Sequence, residues 1–387
     1  MTDPKITLCE TGLKLILQPA GNPSETAEIY LNYMWLRDNC PRSWDAQTQD
    51  RVFDLTATPA EIRPADARID GDRLVIDWQG EAHTSRYALD WLVQWARAPG
   101  HPDPARVPVH PWRADASQKV AHFAFDRIKS DWAARTAYMR TMLESGLAVV
   151  EGVPSNEDGV TETAEFSGIV RANFSGQYFN VRYFPEPTGA AFTAGALEPH
   201  TDNPCEEFPP GIQYLHCIRN ESTGGESTFA DGAAVAADLK RDHPDDFAVL
   251  STVSVPFRYT HDAMDLRARH KVILTDPDGD VTGVTVSQHM SDIFDLGQET
   301  LDRFYPAFRR FLQMLRSDKY EIEFALKSGE CVVFDNQRIV HGRRAFDPMS
   351  GIRILRGCYT DRGELRSRYR VLQRDGYIRD FSQQGAA

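Results

Sequence analysis

Apolar and polar positions divide the chain into stretches of different character. From residue 5 to 36 the apolar positions read as short strands broken by the polar run GNPSE, and 73–78 (RLVIDW) alternates as a half-buried strand does. The stretch 85–97 (SRYALDWLVQWAR) carries a helical apolar stripe behind a Ser at the capping position, which predicts a helix. APGHPDPARVPVHP follows, and its five prolines can continue neither element. This predicts a small N-terminal α+β domain over 1–100, a Pro-rich linker over 101–118 and a larger domain over 119–387.

The larger domain opens with a helical pattern near 123–146 and the apolar strand GLAVVEGV. From 211 strand patterns crowd together: GIQYLHCI, ESTFADG, HKVILTD, VTGVTVS, YEIEFAL, CVVFD and RILRGCYT. Helices are predicted near 232–251 and 298–316, and DPDGD (276–280) reads as a hairpin turn. Many short strands with grouped helices predict a mostly β fold with flanking helices, a double-stranded β-helix or jelly roll.

With 387 residues and 41% hydrophobic content, the chain can bury a large core. A net charge of -13 argues against nucleic acid and anionic membrane as partners, because both demand a basic face. No apolar run reaches the roughly 20 residues of a membrane span, and the N-terminus lacks the pattern of a secretory signal. Six cysteines without close pairs fit reduced thiols in a cytoplasmic protein.

Two imidazoles and one carboxylate on one face suit a non-haem iron, leaving positions open for a co-substrate and oxygen. Three His-x-Asp triplets occur: His101-Asp103, His200-Asp202 and His243-Asp245. His101 lies in the proline-rich stretch, and Pro244 with its acids reads as a helix start. Only His200 precedes the strand-rich segment. His341 ends an apolar strand, and Arg353 follows on the next one. A hairpin between them would put metal ligand and anion clamp on adjacent strands of one sheet. An arginine there can fork the distal carboxylate of a 2-oxo dicarboxylate. A core His beside a structurally paired Arg is the plainer reading of the same pattern.

WLRDNCP (35–41), PHTDNP (199–204), PPGIQYLHCI (209–218), TGGES (223–227), FDNQRIVHGRR (334–344) and the spacing of Arg353, Leu355, Gly357 and Tyr359 carry a resemblance. The chain resembles the gamma-butyrobetaine hydroxylase and trimethyllysine hydroxylase family of 2-oxoglutarate oxygenases over about residues 30–375. The resemblance implies Fe(II) on His200, Asp202 and His341, 2-oxoglutarate and O2 as co-substrates, Arg353 as carboxylate clamp with Thr228 beside it, and a homodimer. It also implies an aromatic cage for a trimethylammonium group at Phe179, Phe192 and Tyr359. Gly189 stands where the family has a carboxylate-binding Asn, with a second such Asn expected near Ser287 or Gln288. Arg182, or one of Arg343, Arg344 and Arg356, is a candidate replacement charge. The implied reaction is hydroxylation of an unactivated C–H bond in a small quaternary-ammonium compound, such as a trimethylammonium alkyl phosphonate. The alternatives are butyrobetaine itself, a non-betaine substrate, or a non-catalytic metal-binding jelly roll. The family's structural zinc is not expected, because Arg42 and Asp45 replace two thiolates and leave only Cys40, His83 and Asp45.

Overall fold

A computed structural model describes residues 4–17, 27–96, 103–115, 120–183, 193–261 and 263–375. The chain divides into two compact units, Met1–Asp103 and Pro104–Ala387. In the first, the strands Lys5–Leu8, Gly12–Leu17 and Ala27–Asn32 form one antiparallel sheet, and Pro64–Asp70, Arg73–Trp78 and Thr84–Ala88 form another. Asn32 ends the strand pattern early, because its side chain accepts from the Trp35 N–H and starts the helix Tyr33–Asp38. The helix expected from residue 85 begins only at Leu89. Thr84–Ala88 completes the second sheet instead, with Tyr87 buried on its inner side.

The second unit is built on two facing sheets. Six strands run in the order Ala121–Ala124, Leu147–Glu151, Glu330–Asp335, Ile212–Asn220, Arg353–Thr360, Phe179–Val181. Four run Leu197–His200, Ile339–Arg343, Ser227–Asp231, Glu321–Phe324. All pairings are antiparallel except Ala121–Ala124 with Leu147–Glu151. Strand alternation sorts the six-stranded sheet's side chains cleanly. Val149, Cys217, Val332, Phe334 and Leu355 point inward and pack with Phe229 and Ile339 of the four-stranded sheet. Val150, Tyr214, Cys331, Val333 and Cys358 point outward under helices that include Trp132–Ser145. Burial on both faces explains why CVVF (331–334) is continuously apolar.

The pattern near 123–146 resolves into a strand and two helices, Phe125–Ser130 and Trp132–Ser145. Asp131 caps the second by accepting from the Ala133 and Ala134 N–H groups. The helix expected over 232–251 is likewise two, Gly232–Asp242 and Pro244–Thr252, broken by Pro244. The DPDGD turn is present between Ile273–Thr275 and Val281–Val284.

The proline-rich stretch, where described, packs onto the second unit. The Trp112 N–H donates to Asp231 Oδ2 at 3.0 Å, and Arg113 pairs with the buried Asp238. Asp231 also forks the buried Arg338, at 3.0 and 2.7 Å, while Arg338 donates to the carbonyls of Glu144 and His110. Arg338→Met should therefore destabilise by about 3–5 kcal/mol, since it strands a buried carboxylate; chemical denaturation checks this.

His216, wholly buried on the outer side of the six-stranded sheet, has no hydrogen-bond partner on either ring nitrogen among the described residues. Burial pushes its pKa down to about 4. An unfolded histidine titrates near 6.5, so between pH 6.5 and 4 the unfolded chain takes up a proton that the folded one refuses. Stability should fall as pH drops through that window, by on the order of 3 kcal/mol for this residue. His216→Leu should remove about one proton from the measured slope.

Candidate active site

The four-stranded sheet supplies the metal ligands. His200 ends its strand directly opposite His341 on the neighbouring one, and their ring centroids lie 4.3 Å apart. Asp202 lies past the strand end, so strand alternation does not aim it. Asn336, fully buried, accepts from the Asp202 N–H at 2.7 Å and donates to its carbonyl at 3.2 Å, while Asn203 turns the chain with a φ of 54°. Asp202 Oδ1 then stands 3.2 Å from His200 Nε2 and 3.7 Å from His341 Nε2. These three are the only group of three or more metal-ligating side chains among the described residues, with ligand atoms all within 4.8 Å.

Their protonation states suit a metal. Burial, and then the His200 ring, push the His341 pKa down to about 3. Burial opposes the Asp202 charge, but His341, His200 and the Tyr359 hydroxyl outweigh it and hold the carboxyl below its usual range. At neutral pH the pocket therefore offers a neutral His341 and a carboxylate. His200 Nδ1 is 2.8 Å from the Glu198 carbonyl, which fixes the tautomer with Nε2 free to bind a metal. The His289 ring meets His200 edge-on at 4.9 Å. Tyr359 donates to Asp202 Oδ2 at 2.6 Å from the opposite sheet.

Beside the ligands is a cavity of about 80 Å³, lined by Phe179, Gln213, Ser227, Arg343 and Arg353 among others. Both arginines are buried, and both guanidiniums pack on Phe346, at 5.1 and 5.4 Å. Arg353 donates to the Gly225 carbonyl at 3.2 Å, while its Nε has no acceptor among the described residues. Burial lowers its pKa, and burial followed by the Arg353 charge pushes Arg343 down to about 10. Asp202 is the only acid among the described lining residues. Arg343 donates to the carbonyls of Thr193 and Gly195, whereas Arg353, with no acceptor on Nε, offers the cavity a desolvated charge that an anion would neutralise. Gly225, with φ of 77°, is needed because a Cβ there would lie 3.2 Å from Arg353 Nε.

The family model for "Taurine catabolism dioxygenase TauD, TfdA family" matches residues 107–359. The chain belongs to the TauD/TfdA dioxygenase family. A gamma-butyrobetaine dioxygenase of Pseudomonas sp. (strain AK-1) is 34% identical over 347 residues, covering 88% of this chain and 90% of that one. The human gamma-butyrobetaine dioxygenase is 29% identical over 352 residues, covering 88% and 90%. The mitochondrial trimethyllysine dioxygenase of Gallus gallus is 28% identical over 356 residues, covering 88% and 83%. The crystal structure of AAD-2 in complex with Mn(II) and N-oxalylglycine shares the fold, with a TM-score of 0.51 and 15% identity over 63% of this chain and 97% of that one.

In this dioxygenase His341 and Arg353 do not occupy adjacent strands of one sheet, as a hairpin would require. His341 lies in the four-stranded sheet and Arg353 in the six-stranded one, so the segment between them crosses the sandwich and the two side chains converge from opposite walls. Thr228 pairs with Gly342 and is absent from the cavity lining. Ser227, paired with Arg343, takes that place, because alternation turns neighbouring residues to opposite faces. Phe179 lines the cavity and stacks on Tyr359 at 5.2 Å. Phe192 and Gly189 lie outside the described residues. Arg182 is exposed and does not line the cavity. Of the other candidate charges, Arg344 pairs with Glu321 and Glu323 on the surface. Arg356 points to the outer face toward Tyr178, and only Arg343 reaches the cavity. In the first unit Cys40 Sγ contacts His83 Nε2 at 3.3 Å, and Asp45 accepts from the Gln47 and Thr48 N–H groups of its own turn.

The sequence reading missed Gln213, Ser227, Asn336 and His289. Gln213 and Ser227 lie on strands other than those of Arg353 and His341, so only the pairing registers place them beside the site. Nothing local marks Asn336 or His289.

Gly357 allows the Phe179–Tyr359 stack, because a Cβ there would meet the Phe179 ring at 2.2–2.7 Å. Gly357→Ala should displace this ring, which can move on its short edge strand. Substrate KM should rise about tenfold or more while the melting temperature shifts little, as steady-state kinetics and calorimetry would show.

Proposed function

We propose that this dioxygenase hydroxylates an unactivated C–H bond of a small quaternary-ammonium, betaine-like compound, with Fe(II) held by His200, Asp202 and His341 and 2-oxoglutarate as co-substrate. The observation that carries the co-substrate reading is the Arg353 guanidinium. It is buried, lacks an acceptor on Nε, and faces the same small cavity as the three metal-ligating side chains. A dicarboxylate reaching from metal to arginine answers that charge with a planar fork. We read the second unit as a jelly roll, supported by its two facing antiparallel sheets, and the first as a small α+β domain. The homodimer and the cytoplasmic location belong to the same proposal; the six free cysteines agree with a reducing compartment.

When bound, iron with 2-oxoglutarate and O2 supplies the oxidation: the 2-oxo acid is converted to succinate and CO2, and one oxygen atom enters the substrate. The chain's own residues do the positioning. Asn336 and Tyr359 fix Asp202, the Glu198 carbonyl orients His200, and Phe334 packs against the His341 ring at 4.7 Å. Phe179, Val181, Leu197, Leu215 and Leu355 give the cavity apolar walls that exclude water.

The substrate class is supported by the relatives' names and by the Phe179–Tyr359 pair. A trimethylammonium group donates no hydrogen bond and is held by aromatic faces, each worth about 0.5–2 kcal/mol. Glycine at position 189 brings no side-chain amide, where the resemblance implies a carboxylate-binding Asn. A phosphonate-bearing compound fits that difference, with Arg343 as the candidate charge that lines the cavity. Butyrobetaine itself is the second reading, favoured by the 34% identical relative.

The test is succinate release over butyrobetaine, trimethyllysine, trimethylammonium alkyl phosphonates and a neutral tert-butyl analogue. A trimethylammonium compound other than butyrobetaine should be the best substrate. Preference for the tert-butyl analogue would overturn the cage, and butyrobetaine as clear best would establish the second reading. Arg353→Lys should raise the 2-oxoglutarate KM by the equivalent of about 1–3 kcal/mol. An unchanged KM would show that another group holds the distal carboxylate.

A further inference from the structure

One polar side chain of the cavity remains without a task. Gln213 is 2% exposed, lines the cavity, and its Oε1 is buried with no hydrogen-bond partner among the described residues. Its place along the strand is defined by both neighbours. It lies opposite Phe334 on one side and Tyr359 on the other. Phe334 packs on the His341 ring, and Tyr359 hydrogen-bonds Asp202. Gln213 therefore belongs to the wall beside the metal ligands, whereas Arg353 is paired with Asn220 at the far end of the same strand. Between them the same face carries Leu215 and Leu355. Ser227, the other uncharged polar side chain of the lining, lies opposite Arg343.

We propose that Gln213 binds the metal-side carboxylate of the 2-oxo acid, donating from its carboxamide to the carboxylate oxygen that the metal does not take. A half-turn about the last side-chain bond exchanges Oε1 for Nε2, so the buried end can donate as readily as accept. The residue type suits the location. A cationic side chain beside the ligands would repel the metal, and an anionic one would repel the incoming carboxylate. A neutral amide recognises that carboxylate without adding charge. This inference rests on the 2-oxo acid reading of the cavity and assigns a group to the end that Arg353 does not reach.

The test uses Mn(II)-loaded full-length protein and calorimetric binding of two acids, 2-oxoglutarate and 2-oxobutyrate, which lacks the distal carboxylate. Gln213→Leu should weaken both by the same factor, about tenfold for a lost hydrogen bond to a charged group. Gln213→Glu, which keeps the shape, should weaken both further. Mn(II) affinity and melting temperature should stay at wild-type values in both variants. Arg353→Lys, by contrast, should weaken 2-oxoglutarate and leave 2-oxobutyrate unchanged. Wild-type affinity for both acids in the two Gln213 variants would overturn the assignment. A loss confined to 2-oxoglutarate would overturn it too, by moving Gln213 to the distal end. A parallel loss of Mn(II) affinity would make Gln213 a structural prop. Failure of the wild-type protein to bind 2-oxoglutarate would instead overturn the reading of the cavity itself.

Discussion

A largely desolvated carboxylate held between two sheets needs its charge answered from both, and the centre of this molecule is arranged around that demand at Asp202. One carboxylate oxygen faces His200 and His341 from the four-stranded sheet, while the other accepts from Tyr359 of the six-stranded sheet. Asn336 holds the backbone of the same residue at both its N–H and its carbonyl. A buried anion with partners on both walls ties the two sheets together. It also fixes the direction in which the remaining lone pairs point. Registry between the sheets and geometry at the metal are therefore one constraint rather than two.

The cations are arranged differently. Asp231 and Arg338 neutralise one another in full, and Asp238 is answered by Arg113, Arg241 and Lys319. These ion pairs fasten chain segments to one another. Arg343 and Arg353 line a cavity whose only acid among the described residues is Asp202; burial depresses both, and the Arg353 charge depresses Arg343 further. Such an arrangement raises the energy of the empty site and lowers it when an anion enters. Binding of an anionic co-substrate is thereby favoured over retention of water.

Aromatic packing reaches the metal-ligating side chains from the six-stranded sheet. Tyr359 carries Phe179 on its ring and Asp202 on its hydroxyl, so a group resting against this pair is held close to the metal ligands. Gly357 makes room for the Phe179 ring on the face of the sheet. Two positions of the Arg353–Tyr359 motif thus serve one contact.

Alternation and turn chemistry pointed to the strand-rich second unit, the helix start at Pro244 and the turn at DPDGD, each of which follows from local geometry. His200, Asp202, His341 and Arg353 stood out from equally plain readings only once the resemblance was added to their spacing. The sequence could not say that residues 344–352 cross between sheets rather than close a hairpin, because a short polar connection is compatible with both. The choice of Ser227 over Thr228 turned on a one-residue register that only pairing with Ile339–Arg343 fixes. Arg343 could not be told from Arg344 and Arg356 as a candidate charge, because nothing beside it in sequence shows that its strand is buried on both faces. Asn336, His289 and Gln213 reach the site from strands and turns far apart in the chain, and only the packing of one sheet on the other brings them to the metal ligands.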